Sequence, residues 1–228
     1  MKKILALASL TVIGVALVST LSLVPFGVNK MDPQVAGRYL REGVARTGSV
    51  NIVTAIVVNY RGFDTLGEVT VLFLAATGLG AVLFDKRGKR TQRTPASLIV
   101  KSAALILFPL IVLLGAYVFV HGHLTPGGGF QGGVIIATGF LLMYMAFRSY
   151  DVSHTWLMAV ESLAGTTFVV LGLLGLIYGR SFLYNFLPLG TANAVFSAGV
   201  IPLIYVAIGL KVGSELTGIL DNLMETIR

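Results

Sequence analysis

The feature that most constrains this chain is its alternation of long apolar runs with short polar breaks. Six runs stand out, at residues 4–24, 65–84, 97–120, 130–147, 155–178 and 191–211. A helix needs about 20 apolar residues to cross the hydrocarbon core of a bilayer, and each run lies near that length. The chain is therefore expected to be an all-α integral membrane protein with about six transmembrane helices. Composition agrees. Hydrophobic residues make up 55% of the sequence and charged residues 12%, against roughly 25% charged in soluble domains. Mean hydropathy is +0.86, so there is too little polar surface to coat a globule in water.

The breaks organise the rest. The first run follows Lys2 and Lys3, and its 21 residues exceed the apolar core of about 7–15 residues in a secretory signal. No small-x-small cleavage pattern follows, so it is expected to remain as a span. Residues 25–49 read as a long loop with a short helix around 34–42. The apolar run 50–60 is too short to cross as a helix and is expected to be interfacial or re-entrant. Pro109 lies inside the third run, where it removes one backbone hydrogen bond and is expected to kink the helix. Pro202 lies inside the sixth. Residues 212–228 read as a separate amphipathic tail helix.

The formal charge of +7 comes from basic residues in the loops, a distribution that fits topology rather than nucleic acid. Six spans put both termini on one side. That side holds ten Lys and Arg, against six opposite, with Lys101 lying within a span. The richer side is expected to be cytoplasmic, in the cell membrane. The densest cluster, Lys86, Arg87, Lys89, Arg90 and Arg93, marks the best internal boundary. It divides a two-span module, residues 1–90, from a four-span module, residues 91–228.

The absence of cysteine excludes disulfides, thiolate metal sites and a cysteine nucleophile. With three histidines, a multi-histidine metal centre is nearly excluded too. No cofactor is expected. Gly127, Gly129 and Gly132 match a dinucleotide fingerprint, but that motif works only between a strand and a helix. Here it joins two membrane spans. Consecutive glycines, Gly127, Gly128 and Gly129, instead allow a tight reversal, and Gly129 and Gly133 continue at a spacing that favours close helix contact.

Two strings carry a family resemblance. Val58-Asn59-Tyr60-Arg61-Gly62-Phe63-Asp64-Thr65-Leu66-Gly67-Glu68 resembles the small module at the C-terminal end of the large A subunit of Mrp-type multisubunit cation/proton antiporters. That module also occurs as a separate E-like subunit in archaeal membrane-bound hydrogenases. His121-Gly122-His123-Leu124-Thr125-Pro126-Gly127-Gly128-Gly129-Phe130-Gln131-Gly132-Gly133 resembles the glycine loop of the four-span B subunit of the same antiporters. The fusion is similar to a subunit of archaeal hydrogenase-like or sulfur-reducing complexes that carry an Mrp-type ion module. The resemblance implies part of an ion-translocating assembly, with sodium ions, protons and other membrane subunits as partners.

Ionisable residues inside the runs are the candidate site, because a charge in hydrocarbon is costly unless it faces protein or water. Glu161 lies within the fifth run and reads as a proton or sodium ligand, or else as half of a structural pair. Gly165, Gly172, Gly175 and Gly179 recur near its face, which is expected to pack against another helix. Lys101, near the start of the third run, is expected at similar depth and could pair with Glu161; its other reading is snorkelling to the headgroups. Asp64 and Glu68 share a helical face and either cap a helix or gather cations. His121 and His123 read as a solvated interfacial pair or as a proton relay. Lys211 and Glu215 read as an exposed interfacial pair without function.

No nucleophile–base or metal constellation is present, so a non-catalytic subunit is expected. Four functions compete: an accessory subunit contributing to a cation pathway, a purely structural scaffold, an autonomous transporter and a membrane enzyme. An autonomous transporter commonly shows paired repeats, which are not visible. Ionisable groups retained within apolar runs favour the pathway subunit over the scaffold.

Overall fold

The computed structural model describes residues 2–23, 33–84, 96–147, 149–179 and 181–227. Residues 24–32, the basic cluster at 85–95, Arg148 and Arg180 lie outside them. The described chain is helical. In order it runs α1 (Lys2–Ser22), α2 (Pro33–Thr47), α3 (Ile52–Thr54) continued by a π-helical turn (Ala55–Tyr60), α4 (Gly62–Phe84), α5 (Leu98–Val120), α6 (Gly129–Ala146), α7 (His154–Tyr178) and α8 (Ile201–Ile227). Among the described residues, five stretches have the length and apolarity to cross a membrane: Gly62–Leu83, Leu98–Val120, Gly129–Ala146, His154–Tyr178 and Ile201–Met224. Leu7–Ser22 is a shorter apolar helical stretch.

Residues 1–37 and 38–228 form two units. In the first, the hydroxyls of Thr11, Ser19 and Thr20 return to carbonyls four residues back on α1, at 2.9, 2.6 and 2.8 Å. Polar groups on an apolar helix are satisfied in this way without water. The helix expected at 34–42 is longer, closing at Thr47.

The second unit is organised around α8, which packs on α4, α5, α6 and α7. Its core joins Ile201, Ile204, Tyr205, Ile208 and Val212 of α8 to Val58, Val69, Phe168 and Leu183. A smaller cluster between α5 and α6 holds Ala104, Met143 and Ala146. Glycines let α6 approach both neighbours. A Cβ at Gly133 would lie 2.8 Å from the Gly209 carbonyl of α8, and one at Gly132 would lie 2.6 Å from the Gly115 carbonyl of α5. Only a missing side chain permits such backbone contact. α5 runs unbroken through Pro109.

The sixth span differs from expectation. Residues 191–200 are not helical, and α8 begins only at Ile201. Asn193 and Ala198 adopt left-handed φ values of 69° and 63°, flanked by Gly190 and Gly199 at 65° and 59°, which no helix accommodates. Pro202 is thus the second residue of α8, not a mid-span kink. In a first turn its missing N–H costs nothing, because that donor has no helical partner. Nor is there a separate amphipathic tail. α8 continues through residues 212–227, with Val212 and Thr217 fully buried.

The glycine face of α7 packs partly against a loop. Cβ atoms at Gly172 and Gly175 would collide with Phe182 and with the Leu183–Tyr184 backbone, whereas Gly165 faces Lys211 of α8. Residues 182–184, beyond the end of α7, lie back against it.

Candidate functional site

Two polar assemblies line the bundle. The first is a clasp where α5 ends and α6 begins. Asn51 caps α3 by accepting from the Val53 and Thr54 N–H groups. Its side-chain amide donates to the Gly122 and Thr125 carbonyls at 2.8 and 2.9 Å. Ser49 Oγ donates to the His123 carbonyl at 3.0 Å, and Thr54 Oγ1 to Gly122 at 2.6 Å. Tyr205 of α8 donates its hydroxyl to Thr54 at 3.0 Å. From the other side, Asn185 donates to Thr47 and Ala198 carbonyls and accepts from the Val200 N–H. Gly48 makes this closure possible, at φ +70° and with no room for a Cβ against Ala198.

The clasp separates the two histidines, whose sequence readings were a solvated interfacial pair or a proton relay. His123 is fully buried, and burial holds its imidazole below the usual range, against the pull of the Ala194 and Val195 backbone. His121 stays partly exposed, stacked on Tyr117 at 4.3 Å between ring centroids. Neither forms a metal cluster: the described residues contain no group of three His, Cys, Asp or Glu able to hold an ion. Asp64 binds Arg61 Nε at 2.6 Å on the exposed surface, and Glu68 is exposed one turn further along α4.

The second assembly lies within the spans. Lys211 Nζ of α8 stands between two carboxylates, 3.3 Å from Glu161 Oε1 of α7 and 3.2 Å from Glu215 Oε2 one turn along α8. The Phe73 ring of α4 lies 5.1 Å from the ammonium, on its cation-attracting face. Lys211 is 8% exposed and Glu215 3%, so the pair expected to be exposed and inert is buried. Of the two readings of Lys101, the pair with Glu161 does not form. Glu161 takes Lys211, and Lys101 sits partly exposed on α5. Lys211 and Glu215 escape a reading of the sequence that ends the sixth span at its first charge. The usable signal is continuity: Ile201–Met224 keeps a mean hydropathy of 1.5 across both residues without a turn-forming break.

Relatives identify the lineage of these two assemblies. Residues 99–218 match the model of the domain related to the MnhB subunit of Na+/H+ antiporter. The chain belongs to the MnhB family. Residues 2–97 of this MnhB-family chain match a second model, that of the MbhE subunit of MBH. A chain of the membrane-bound sulfane sulfur reductase, an archaeal respiratory membrane complex, is 48% identical; the match covers 98% of each chain, with a TM-score of 0.78. A chain of the Mrp complex from Dietzia sp. is 28% identical with a TM-score of 0.71, covering 97% of this chain and 26% of that one. An uncharacterised protein of Methanocaldococcus jannaschii is 33% identical over 189 residues, 71% of this chain and 72% of its own. The MnhB-family chain is accordingly a multi-pass membrane protein of antiporter-subunit type. Glu161, Lys211 and Glu215 fall inside the MnhB match, and Asn51, Asp64 and Glu68 inside the other.

Proposed function

We propose that this chain is a non-catalytic membrane subunit of a multisubunit Mrp-type ion-translocating complex, and that it contributes part of the ion pathway. The observation that carries this reading is the Glu161–Lys211–Glu215 cluster, set within two apolar helices at 3.3 and 3.2 Å. Hydrophobic residues of similar volume would join α7 to α8 at less desolvation cost. Charges kept inside spans mark ion and proton routes more often than structure. The likeness to the sulfane sulfur reductase chain supports assembly with a sulfur-reducing or hydrogenase-like redox module, and the likeness to the Mrp complex supports sodium/proton exchange by the whole. In this reading the chain lies in the cell membrane with both termini cytoplasmic. Residues 1–90 act as the E-like module and residues 91–228 as the B-like module. Asp64, Glu68 and His121, at the clasp end, gather cations for the assembly.

The alternative is a scaffold whose function is to hold neighbours in place. The hydrogen-bonded clasp around Asn51 favours it for that end of the molecule. Sodium and proton movement by the whole complex carrying Glu161→Gln decides between the two. The pathway reading expects a loss of about tenfold or more with assembly intact. Unchanged transport in an intact complex leaves the scaffold.

A further inference from the structure

The charged cluster is part-exposed at Glu161 on α7, and along α8 it has an opening on the C-terminal side. Lys211, Glu215, Gly218 and Asn222 follow at i, i+4, i+7 and i+11 and so share one face of α8. That face looks toward α4 and α7: Lys211 meets Phe73 and Glu161, and the Asn222 amide comes within 3.9 Å of a Cβ built at Gly80 of α4. Between Asn222 and Glu215 stands Gly218, where an added Cβ would meet nothing within 4 Å. Of the other glycines of the helix, Gly209 is closed and Gly213 is in ordinary contact with α6. A Cβ at Gly209 would collide with the Phe119 ring, and one at Gly213 would lie 3.5 Å from the Gly133 carbonyl. Toward the clasp, α8 buries Ile201, Ile204 and Ile208 and offers no ionisable group before Lys211 apart from Tyr205, whose hydroxyl is committed to Thr54.

Glu215 ends this route half-satisfied. Its side chain is 1% exposed. Oε2 accepts from Lys211, while Oε1 is buried with no hydrogen-bond partner. The charged groups acting on it are Lys211, from its own helix, and Glu161, from α7; α4 contributes only the Phe73 ring to the cluster. With both carboxylates ionised, the cluster holds one uncompensated negative charge in an apolar bundle, which is costly. A metal cation is a poor remedy. Hard cations take about six oxygen ligands, and here an ammonium already occupies the space between the two carboxylates. A proton on Oε1 removes the excess charge and needs no further ligand.

Resting on the pathway reading, we propose that Glu215 is the proton-carrying group of this subunit, loaded from the C-terminal end of α8 through the opening at Gly218. The step is one proton transfer. A hydronium ion at the opening gives H+ to Oε1 of Glu215; one of its O–H bonds breaks as the carboxyl O–H forms, and water is left behind. Lys211 then balances Glu161 alone; when the proton leaves, Lys211 is again shared between two carboxylates. Ser214 does not relay, since its hydroxyl donates to the Leu210 and Lys211 carbonyls of its own helix.

The chain contains no cysteine, so Gly218→Cys places a single thiol in this subunit, at a position with room for it. The whole complex is embedded in vesicles of each orientation, treated with a membrane-impermeant thiol reagent, and the mass of this chain is read. Labelling is expected only from the side that exposes the C-terminus. Asn222→Cys serves as the second variant should Gly218→Cys impair assembly. Infrared difference spectra between acid and alkaline complex are expected to show a protonated-carboxyl band that Glu215→Gln removes and that Glu161→Gln moves to more acidic pH, since Lys211 then balances Glu215 alone. Absence of labelling at both positions, labelling from the opposite side, or a band that survives Glu215→Gln overturns the proposal. These readouts are independent of transport. Should Glu161→Gln abolish ion movement while the band survives Glu215→Gln, the pathway reading stands and the proton assignment falls.

Discussion

The two halves of α8 are buried alike but held by opposite chemistry. From Ile201 to Leu210 the helix presents Ile201, Ile204, Ala207 and Ile208 to its neighbours, and α6 closes on it through Gly129 and Gly133. From Lys211 onward the same helix buries Lys211, Ser214, Glu215, Thr217 and Asp221. The first half gains from packing, and any added methyl group is felt there. The second half carries desolvated charge that is tolerable only while each charge keeps its partner. One element can therefore serve as a rigid post at one end and a responsive site at the other.

The comparison breaks most visibly if the cation is removed. Lys211→Met leaves Glu161 and Glu215 facing each other in an apolar setting, and losing one member of a buried ion pair costs about 3–5 kcal/mol. Thermal unfolding of the purified chain in detergent measures this. Adding Glu215→Gln to Lys211→Met is expected to recover most of the loss, which a purely steric role for Lys211 would not allow. At the packed half, Gly133→Leu drives a side chain into the Gly209 carbonyl and Val212, both 2.8 Å from the Cβ position. Overpacking of this kind costs about 1–3 kcal/mol, and the same unfolding assay should show no rescue by any charge substitution.

At the clasp, Asn51→Ala removes two donors to Gly122 and Thr125 and the cap of α3. The expected loss is about 1–2 kcal/mol, read as faster amide exchange at 52–54 and 121–125 with little change around Glu161. The smallest effect is pH-dependent. Burial favours neutral His123, so its folded value lies below the unfolded one of about 6.5. The clasp keeps its full stability above that value. As pH falls through it toward the folded value, the unfolded state binds the proton first and stability is lost. Amide exchange around residues 121–125 should accelerate on acidification in the native chain. His123→Gln should flatten the dependence.

Much of this architecture is legible from hydropathy alone, and the exceptions share a cause. Helices α4 to α7 lie close to their expected runs because each is bounded by polar or glycine-rich breaks. α8 starts ten residues later than its run. The segment 191–200 is apolar enough to read as a span, but it satisfies its backbone through the clasp, with the Ala198 N–H donating to Leu189 at 2.8 Å and the Val200 N–H to Asn185 at the same distance. At the other end, Lys211 resembles a boundary because a charge usually is one. Glu161 stands out as a candidate on its own merits, yet its partner lies on α8 and is not Lys101 of α5. Matching depths in two apolar runs does not establish which faces meet.

By itself, the sequence determined the solvent of this protein and the family to which its two signature strings belong. Apolar runs of spanning length have one stable environment, and backbone groups inside it must pair as helices. Tertiary structure decided which charges share a space. An i,i+4 Lys–Glu pair reads the same whether it faces water or a neighbouring helix. Only the packing of α4 and α7 against α8 removes the water, and with it the option of leaving Glu161, Lys211 and Glu215 apart.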